Sequence, residues 1–307
     1  MKAARLLVVT GLWPTSDNRT VGTFVRDRLV GTDAVLIGPA RYDVSVSRRY
    51  GSLLLRALTT RGRFDGVEAH VLFPAGLIGL IAARLRGVPL LVYAHGSDVR
   101  ETIRRTIVHR WLATRVARGA REIVANSAHT AALLRDIGAT ASVVHPGVDL
   151  TRFHPRPRPK VRSVLYLGGA APHKAPEIGR RYADTVAGPG LDPIDRGSIP
   201  DLIAAHDIVI VPSREESFGL VALEAIASGR WVVAREVGGL PEIVKPGVNG
   251  TLVAEDDGFG PAIESVPDYD PWAVARTAEP FSIDIERREM ASLWAQILSR
   301  EATSGGE

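Results

Sequence analysis

No cysteine occurs among the 307 residues, which removes disulfides, zinc-thiolate sites and iron-sulfur clusters and fits a reducing cytosol. Long apolar runs are missing too. The longest, VLFPAGLIGLIAA, is broken by Pro74 and followed by Arg84, so it is too short to span a bilayer. The opening MKAARLLVVTGLWP has a basic start, but its run ends at Trp13-Pro14 with no small-residue cleavage site, and it reads as a first buried strand. No helix-turn-helix, zinc-finger or RNP-like pattern is present, so no nucleic-acid partner is expected. LGGAAPHK is neither G-x-G-x-x-G nor a P-loop, which argues against a nicotinamide oxidoreductase. The eight His show no pairing with carboxylates at ligand spacing, so neither a metal nor another cofactor is expected.

What is present suits a large soluble α/β protein: 45% of the residues are hydrophobic, enough for a substantial core and two domains. The net charge of +4 conceals an asymmetry. Residues 1–158 carry 24 Lys and Arg against 11 Asp and Glu, a net of +13, whereas residues 159–307 carry 14 against 23, a net of −9. A basic half is a solvated surface or a face for an anionic substrate or membrane.

Eleven apolar runs bounded by turn residues recur along the chain: RLLVVT, DAVLIGP, GVEAHVLF, PLLVYAHG, EIVANS, SVVHPG, SVLYLGG, DTVAG, DIVIVPS, RWVVARE and GTLVAE. They read as buried parallel strands, and helix-length segments such as TFVRDRLV, AGLIGLIAARLRG, ETIRRTIVHRWLATRVARG, SAHTAALLRDIG and SFGLVALEAIASG lie between many of them. The alternation predicts two Rossmann-like, doubly wound domains whose strands point their carboxyl ends into a central cleft. HPRPRPK, residues 154–160, alternates Pro with basic residues as a stiff connector. The expected domains are 1–158 and 159–283, with a C-terminal helix over about 284–300 crossing back to the first.

One stretch, REESFGLVALEA at 214–225, sets two carboxylates around a helix start. DIVIVPS predicts a strand ending near Ser213, and SFGLVALEAIASG a helix capped at Ser217 and stopped at Gly229. Positions 217, 220, 221 and 224 would then share a face, with Glu224 about 10 Å along the axis from a mouth where Glu216 stands. The open backbone N–H groups of Phe218, Gly219 and Leu220 form an anion cradle between the two. A nucleotide sugar offers matching groups. Its sugar hydroxyls would donate to Glu216, its diphosphate would lie on the helix end, and its ribose diol would donate to Glu224. Gly219 permits close approach, and the plain alternative is a solvated Glu pair on a surface helix.

These features resemble the retaining glycosyltransferases of family four, which have the GT-B fold. E-SFGLVAL-E after a strand ending in Pro-Ser carries the resemblance, supported in order by GLWPTSDNRTVGTFVRDRL, HVLFPAG, HGSD, VVHPGVDLTRF, VVAREVGGLPEIV and NGTLV. The resemblance implies that His95 lies near the transferred sugar and that Asp98 holds the His95 loop. It implies that Gly22 lets the first helix approach the diphosphate, and that Lys174 neutralises charge on the departing diphosphate. Two departures stand out. Gly169 occupies the place of a customary Arg, and Pro212 follows Lys174 by only 38 positions, which implies a shortened second domain.

The expected activity is metal-independent transfer of a sugar from a nucleoside-diphosphate sugar to an acceptor hydroxyl with retention. The catalytic set is His95, Lys174 and Glu216, and the donor set is Gly22, Asp98, Gly169, Ser213, Ser217, Phe218, Gly219, Leu220 and Glu224. The alternative is a catalytically degenerate homologue that binds a nucleotide sugar or partner without turnover. The acceptor, a lipid-linked or small metabolite, is unnamed by the sequence. The protein is expected to be cytoplasmic, and SRRYGSLLLRALTTRGR with the arginines from Arg100 to Arg121 reads either as a solvated basic face or as a peripheral contact to anionic lipid at the inner membrane face.

Overall fold

The computed structural model describes residues 4–19, 21–192 and 194–304; Met1 to Ala3, at the head of the first apolar run, lie outside the described residues. All eleven apolar runs form strands. These are β1 (Leu6–Thr10), β2 (Ala34–Ile37), β3 (Gly66–His70), β4 (Leu90–Ala94), β5 (Glu122–Ala125) and β6 (Ser142–Val143), then β7 (Val164–Leu167), β8 (Thr185–Ala187), β9 (Ile208–Val211), β10 (Trp231–Arg235) and β11 (Gly250–Val253). The strands divide into two parallel sheets, ordered β2-β1-β3-β4-β5-β6 and β11-β10-β9-β7-β8. Helices and loops make the crossovers that parallel pairing requires.

The first unit takes in Met1–His145 and Glu286–Glu307. Both faces of its sheet are covered. On one, Leu7, Val9, Val67, Ala69, Val92 and Ile123 pack under crossover helices; on the other, Leu6, Val8, Leu91, Tyr93 and Val124 meet Met290, Trp294 and Ile297. The last three lie on the long helix Ile283–Ser304, so the C-terminal helix returns to the first unit. Burying each such side chain contributes about 1.5–3 kcal/mol. Gly66 makes room for the indole, since a Cβ there would stand 2.3 Å from the Trp294 ring.

The arginine-rich segment expected as one helix is two, Ser97–Arg104 and Ile107–Gly119. Thr106 interrupts it because its hydroxyl accepts from His109 N and starts a new helix. The basic segment near residue 47 forms the helix Val46–Thr59, capped by Ser45.

The second unit takes in Pro146–Ile285. The chain enters it upstream of the Pro-Arg connector because Val148 already pairs there: Val148 N donates to Phe281 O, and Ile283 N donates to Val148 O, both at 2.9 Å. Its sheet has five strands, and β8 is only three residues long. The core runs from Leu165 and Tyr166 through Ile208, Val209 and Ile210 to Trp231, Val232 and Val233.

Gly66→Ala is expected to destabilise the protein by about 1–3 kcal/mol through overpacking, and Trp294→Ala by about 3–5 kcal/mol. In the Trp294→Ala background the Gly66→Ala penalty should largely vanish; equal penalties in both backgrounds, measured by urea unfolding, would contradict the contact.

Candidate functional site

Two groups of expected residues assemble, one in each unit. In the second unit, β7 and β9 are neighbours, and the segments leaving their carboxyl ends carry the chemistry. After β7 the chain runs through Gly168 and Gly169 to a 3-10 turn, Pro172–Lys174. Tyr166 Oη ties this turn down, donating to Gly169 O at 3.0 Å and Lys174 O at 3.1 Å. After β9 the chain reaches Ser213 and Glu216. Lys174 Nζ donates to Glu216 Oε2 at 2.7 Å, Ser213 Oγ donates to the same oxygen at 3.2 Å, and Ser217 N donates to Glu216 Oε1 at 3.3 Å. Gly238 lets another loop press on this one, because a Cβ there would fall 1.6 Å from Glu216 O. Lys174, Ser213, Glu216, Gly169 and Val221 line a cavity of about 330 Å³.

The helix begins later than the sequence suggests. It spans Leu220–Ala227 with Gly219 as its N-cap, not Ser217, because Gly219 adopts φ 109°, a left-handed conformation that bends the chain into the helix. A side chain at Gly219 would also strike Leu240, its Cβ 2.6 Å from Cδ2. The N–H groups without intrahelical acceptors are therefore those of Gly219 to Ala222, and Phe218 is a core side chain beside Phe281. Ser217 is not on the helix face. Leu220, Val221 and Glu224 share the half-buried stripe, while Ala222, Leu223, Ala225 and Ile226 are buried. Glu224 thus sits on the open edge of an apolar helix, about 6 Å along the axis from its start.

Gly169 leaves open space, since a Cβ there would meet only Pro189 O, at 3.4 Å. His173 is exposed, and its carbonyl accepts from Arg214 N. The Arg214 side chain is spanned between Glu177 and Asp256.

In the first unit, His95 follows β4 and Asp98 opens the next helix. Asp98 Oδ1 accepts from His95 N at 3.0 Å and Oδ2 from Leu72 N at 2.8 Å, so one carboxylate pins the ends of β3 and β4 together. Burial pushes its carboxyl upward against those hydrogen bonds. Gly22, at φ 69°, is the N-cap of the helix Thr23–Leu29; a Cβ there would collide with Leu12 C at 2.3 Å. That approach sets Phe24 edge-on to His95, with centroids 4.9 Å apart.

Behind His95 lies a polar chain that sequence reasoning missed. His70 Nδ1 is 2.9 Å from His95 Nε2, and His70 Nε2 is 3.1 Å from Glu68 Oε1. Arg28 forms a buried ion pair with Glu68, and Trp294 Nε1 donates to Glu68 Oε2 at 2.9 Å. The available signal was two polar residues, Glu68 and His70, alternating within an apolar strand. Burial alone would raise Glu68, but Arg28, His70 and Trp294 outweigh it and hold the carboxyl at about 2. Burial holds both imidazoles below their usual range, His95 far below, with His70 and Arg28 adding to its shift.

Comparison with known proteins places these sites in context. A family model described as Glycosyltransferase Family 4 matches residues 6–152, and one described as Glycosyl transferases group 1 matches residues 150–266. The D-inositol 3-phosphate glycosyltransferase of Mycolicibacterium gilvum is 32% identical over 287 residues, covering 73% of this chain and 64% of that protein. Its Mycobacterium ulcerans counterpart is 31% identical, covering 82% and 62%. The chain therefore spans less than two thirds of the length of these relatives. Among solved structures, Anabaena Alr3699/HepE in complex with UDP and glucose matches with TM-score 0.73 at 18% identity, over 95% of this chain and 99% of that one. Sucrose-phosphate synthase from Thermosynechococcus elongatus gives TM-score 0.74 at 17% identity, over 97% and 100%. These likenesses establish the fold, the two-sheet α/β architecture called GT-B.

The lowered imidazoles have a consequence for stability. His70 and His95 take up protons less readily when folded, so their contribution is present above the unfolded value near 6.5 and is lost as pH falls below it. Glu68, depressed to about 2, adds a second loss between about 4.5 and 2. Stability should decline below about pH 6.5 by up to about 1.4 kcal/mol per pH unit for each imidazole. His95→Gln should flatten that limb, as read by thermal unfolding at several pH values; an unchanged slope would exclude the assignment.

Proposed function

We propose that this chain, which belongs to the glycosyltransferases of the GT-B fold, transfers a glycosyl unit from a nucleoside-diphosphate sugar to an acceptor hydroxyl with retention at the anomeric carbon. The observation that carries this reading is the pairing of Lys174 with Glu216 beside a cavity rimmed by Gly169 and the start of the helix Leu220–Ala227. An ammonium carries three N–H donors, so Lys174 can keep its bond to Glu216 and still offer two to a phosphate oxygen. The open N–H groups at the helix start add partial positive charge. Glu216 accepts from hydroxyls of the transferred sugar, and Glu224 from the ribose diol. Support for the donor class comes from Alr3699/HepE, solved with UDP and glucose and with UDP-glucose.

In the proposed reaction the bond between the anomeric carbon and the diphosphate oxygen breaks, and the acceptor oxygen bonds to that carbon on the same face. The acceptor proton passes to the departing diphosphate. Lys174 and the helix N–H groups compensate the charge that develops on the leaving group, a role requiring no metal. The curated relatives are named for an inositol phosphate, and the basic first unit suits an anionic acceptor, so a phosphorylated polyol is the first acceptor class to test.

A second reading concerns location. Ile107, Val108 and Trp111 are 86%, 62% and 59% exposed on one helix, flanked by the exposed Arg104, Arg105, Arg110 and Arg115. Apolar and aromatic side chains within a basic surround suit the interface of an anionic membrane. Among the described residues no helix is long and apolar enough to cross a membrane, so contact would be peripheral.

Labelled nucleotide sugars with an inositol phosphate acceptor test the transfer. Lys174→Gln should lower kcat about 100-fold or more, and Glu224→Ala should weaken donor binding about tenfold by calorimetry. Unchanged donor affinity in Glu224→Ala would remove the ribose assignment. Donor binding with no turnover to any acceptor would instead favour a degenerate homologue. For the second reading, flotation with vesicles containing anionic lipid should fall with added salt and with Trp111→Ala, and equal binding to neutral vesicles would refute it.

A further inference from the structure

We infer that Glu68 and His70 are positioning residues that keep the ring proton of His95 on Nε2, so that His95 presents Nδ1 as a hydrogen-bond acceptor and reads a substrate hydroxyl. The inference rests on the sugar-transfer reading for what His95 meets, but the proton placement follows from geometry in the first unit alone.

The register sets the rings in line. His70 on β3 pairs with Tyr93 on β4, and His95 lies two residues beyond Tyr93, so all three side chains share one face of the sheet. The two imidazoles are nearly coplanar in orientation, 7° apart, and their facing nitrogens are 2.9 Å apart. One proton must lie between those nitrogens, and its owner is decided at the far side of His70. There, His70 Nε2 is 3.1 Å from Glu68 Oε1 and 3.0 Å from Arg28 Nη2.

A bare Nε2 would aim its lone pair at an anionic oxygen. A protonated Nε2 gives that oxygen a hydrogen bond, and Arg28 already has the same carboxylate as its acceptor. The carboxylate therefore takes the Nε2 proton of His70. His70 Nδ1 is left bare and accepts from His95 Nε2–H, which leaves His95 Nδ1 as a lone pair. Among the described residues His95 Nδ1 has no hydrogen-bond partner, and the residue as a whole is 9% exposed. A bare nitrogen accepts from a hydroxyl and repels a phosphate oxygen. Burial of both imidazoles keeps a second proton off the pair at neutral pH, which holds the arrangement single.

Trp294 completes the chain. Its indole occupies Glu68 Oε2 and leaves Oε1 to Arg28 and His70. The C-terminal helix thus bears on the ring of His95 through two intervening side chains.

The test is long-range nitrogen-proton NMR of the full chain labelled with ¹⁵N-histidine, without ligand, using His95→Gln to assign its signals. His95 and His70 should both show a protonated Nε2 and a bare Nδ1. A proton on Nδ1 of His95, or an even mixture, would overturn the inference. His70→Leu should lose the single tautomer of His95, whereas His70→Gln, whose amide oxygen can accept from Nε2–H, should keep it. A pure Nε2–H form in folded His70→Leu would also overturn it, and if neither variant folds, the wild-type spectrum decides. With an active donor and acceptor, His70→Leu should raise KM about tenfold for the substrate whose hydroxyl His95 meets and change kcat less. The spectrum requires no turnover, so failure of sugar transfer and failure of the proton placement are separate results.

Discussion

The candidate donor site depends on one short contact, the 2.7 Å ion pair between Lys174 and Glu216. It joins the segments that follow two neighbouring strands of the second sheet, which the Arg214–Glu177 ion pair and the bond from Arg214 N to His173 O also tie together. Its value is not mainly stability. Lys174 retains 30% of its side-chain exposure and Glu216 16%, and pairs so open to water contribute about 1 kcal/mol or less. What the pair fixes is position: an ammonium and a carboxylate face one cavity beside the start of a helix, with Gly238 permitting close backbone approach to Glu216 and Gly219 making room for the Leu240 side chain.

The first unit follows the opposite strategy around His95. The charged groups behind that ring are buried: Arg28 and Glu68 are almost wholly enclosed, with Glu286 a further partner at 3.8 Å. Burying such ions costs several kcal/mol each, and apolar replacements of similar volume are often no less stable. A buried charged chain is therefore a poor way to gain stability and a good way to impose direction. Here it runs from the C-terminal helix, through Glu68 and His70, to the ring of His95. Asp98 fixes the same residue from the other side through its backbone N–H.

Much of this architecture was legible in the sequence, and the reason is physical. Strands buried on both faces write themselves as unbroken apolar runs, so RLLVVT through GTLVAE marked all eleven strands. The parts that were misread have local causes. Gly219 adopts a left-handed conformation that no spacing pattern reveals, which moved the helix start from Ser217 to Leu220 and sent Phe218 into the core. Thr106 can either continue a helix or cap a new one, and here it caps. Glu68 and His70 were passed over because GVEAHVLF reads first as a strand. Their partners Arg28 and Trp294 lie 40 and 226 residues from Glu68, beyond any local window.

Charge at the donor cavity sets the remaining question of chemistry. A departing nucleoside diphosphate needs compensation, and Lys174 is the one Lys or Arg among the described residues lining that cavity. Gly169, where the family resemblance leads one to expect Arg, supplies none, although its surroundings would admit a side chain. Arg214 cannot simply replace it, because its guanidinium already spans Glu177 and Asp256. In the proposed reaction the burden would fall on Lys174 and on the N–H groups of Gly219 to Ala222, whose partial charge of roughly half a unit acts only within the first turn. Such a site compensates the leaving group less completely than one with two full cations. In the proposed reaction, transfer would accordingly be more sensitive to how well Glu216 and Glu224 orient the donor, which would place the weight of catalysis on positioning.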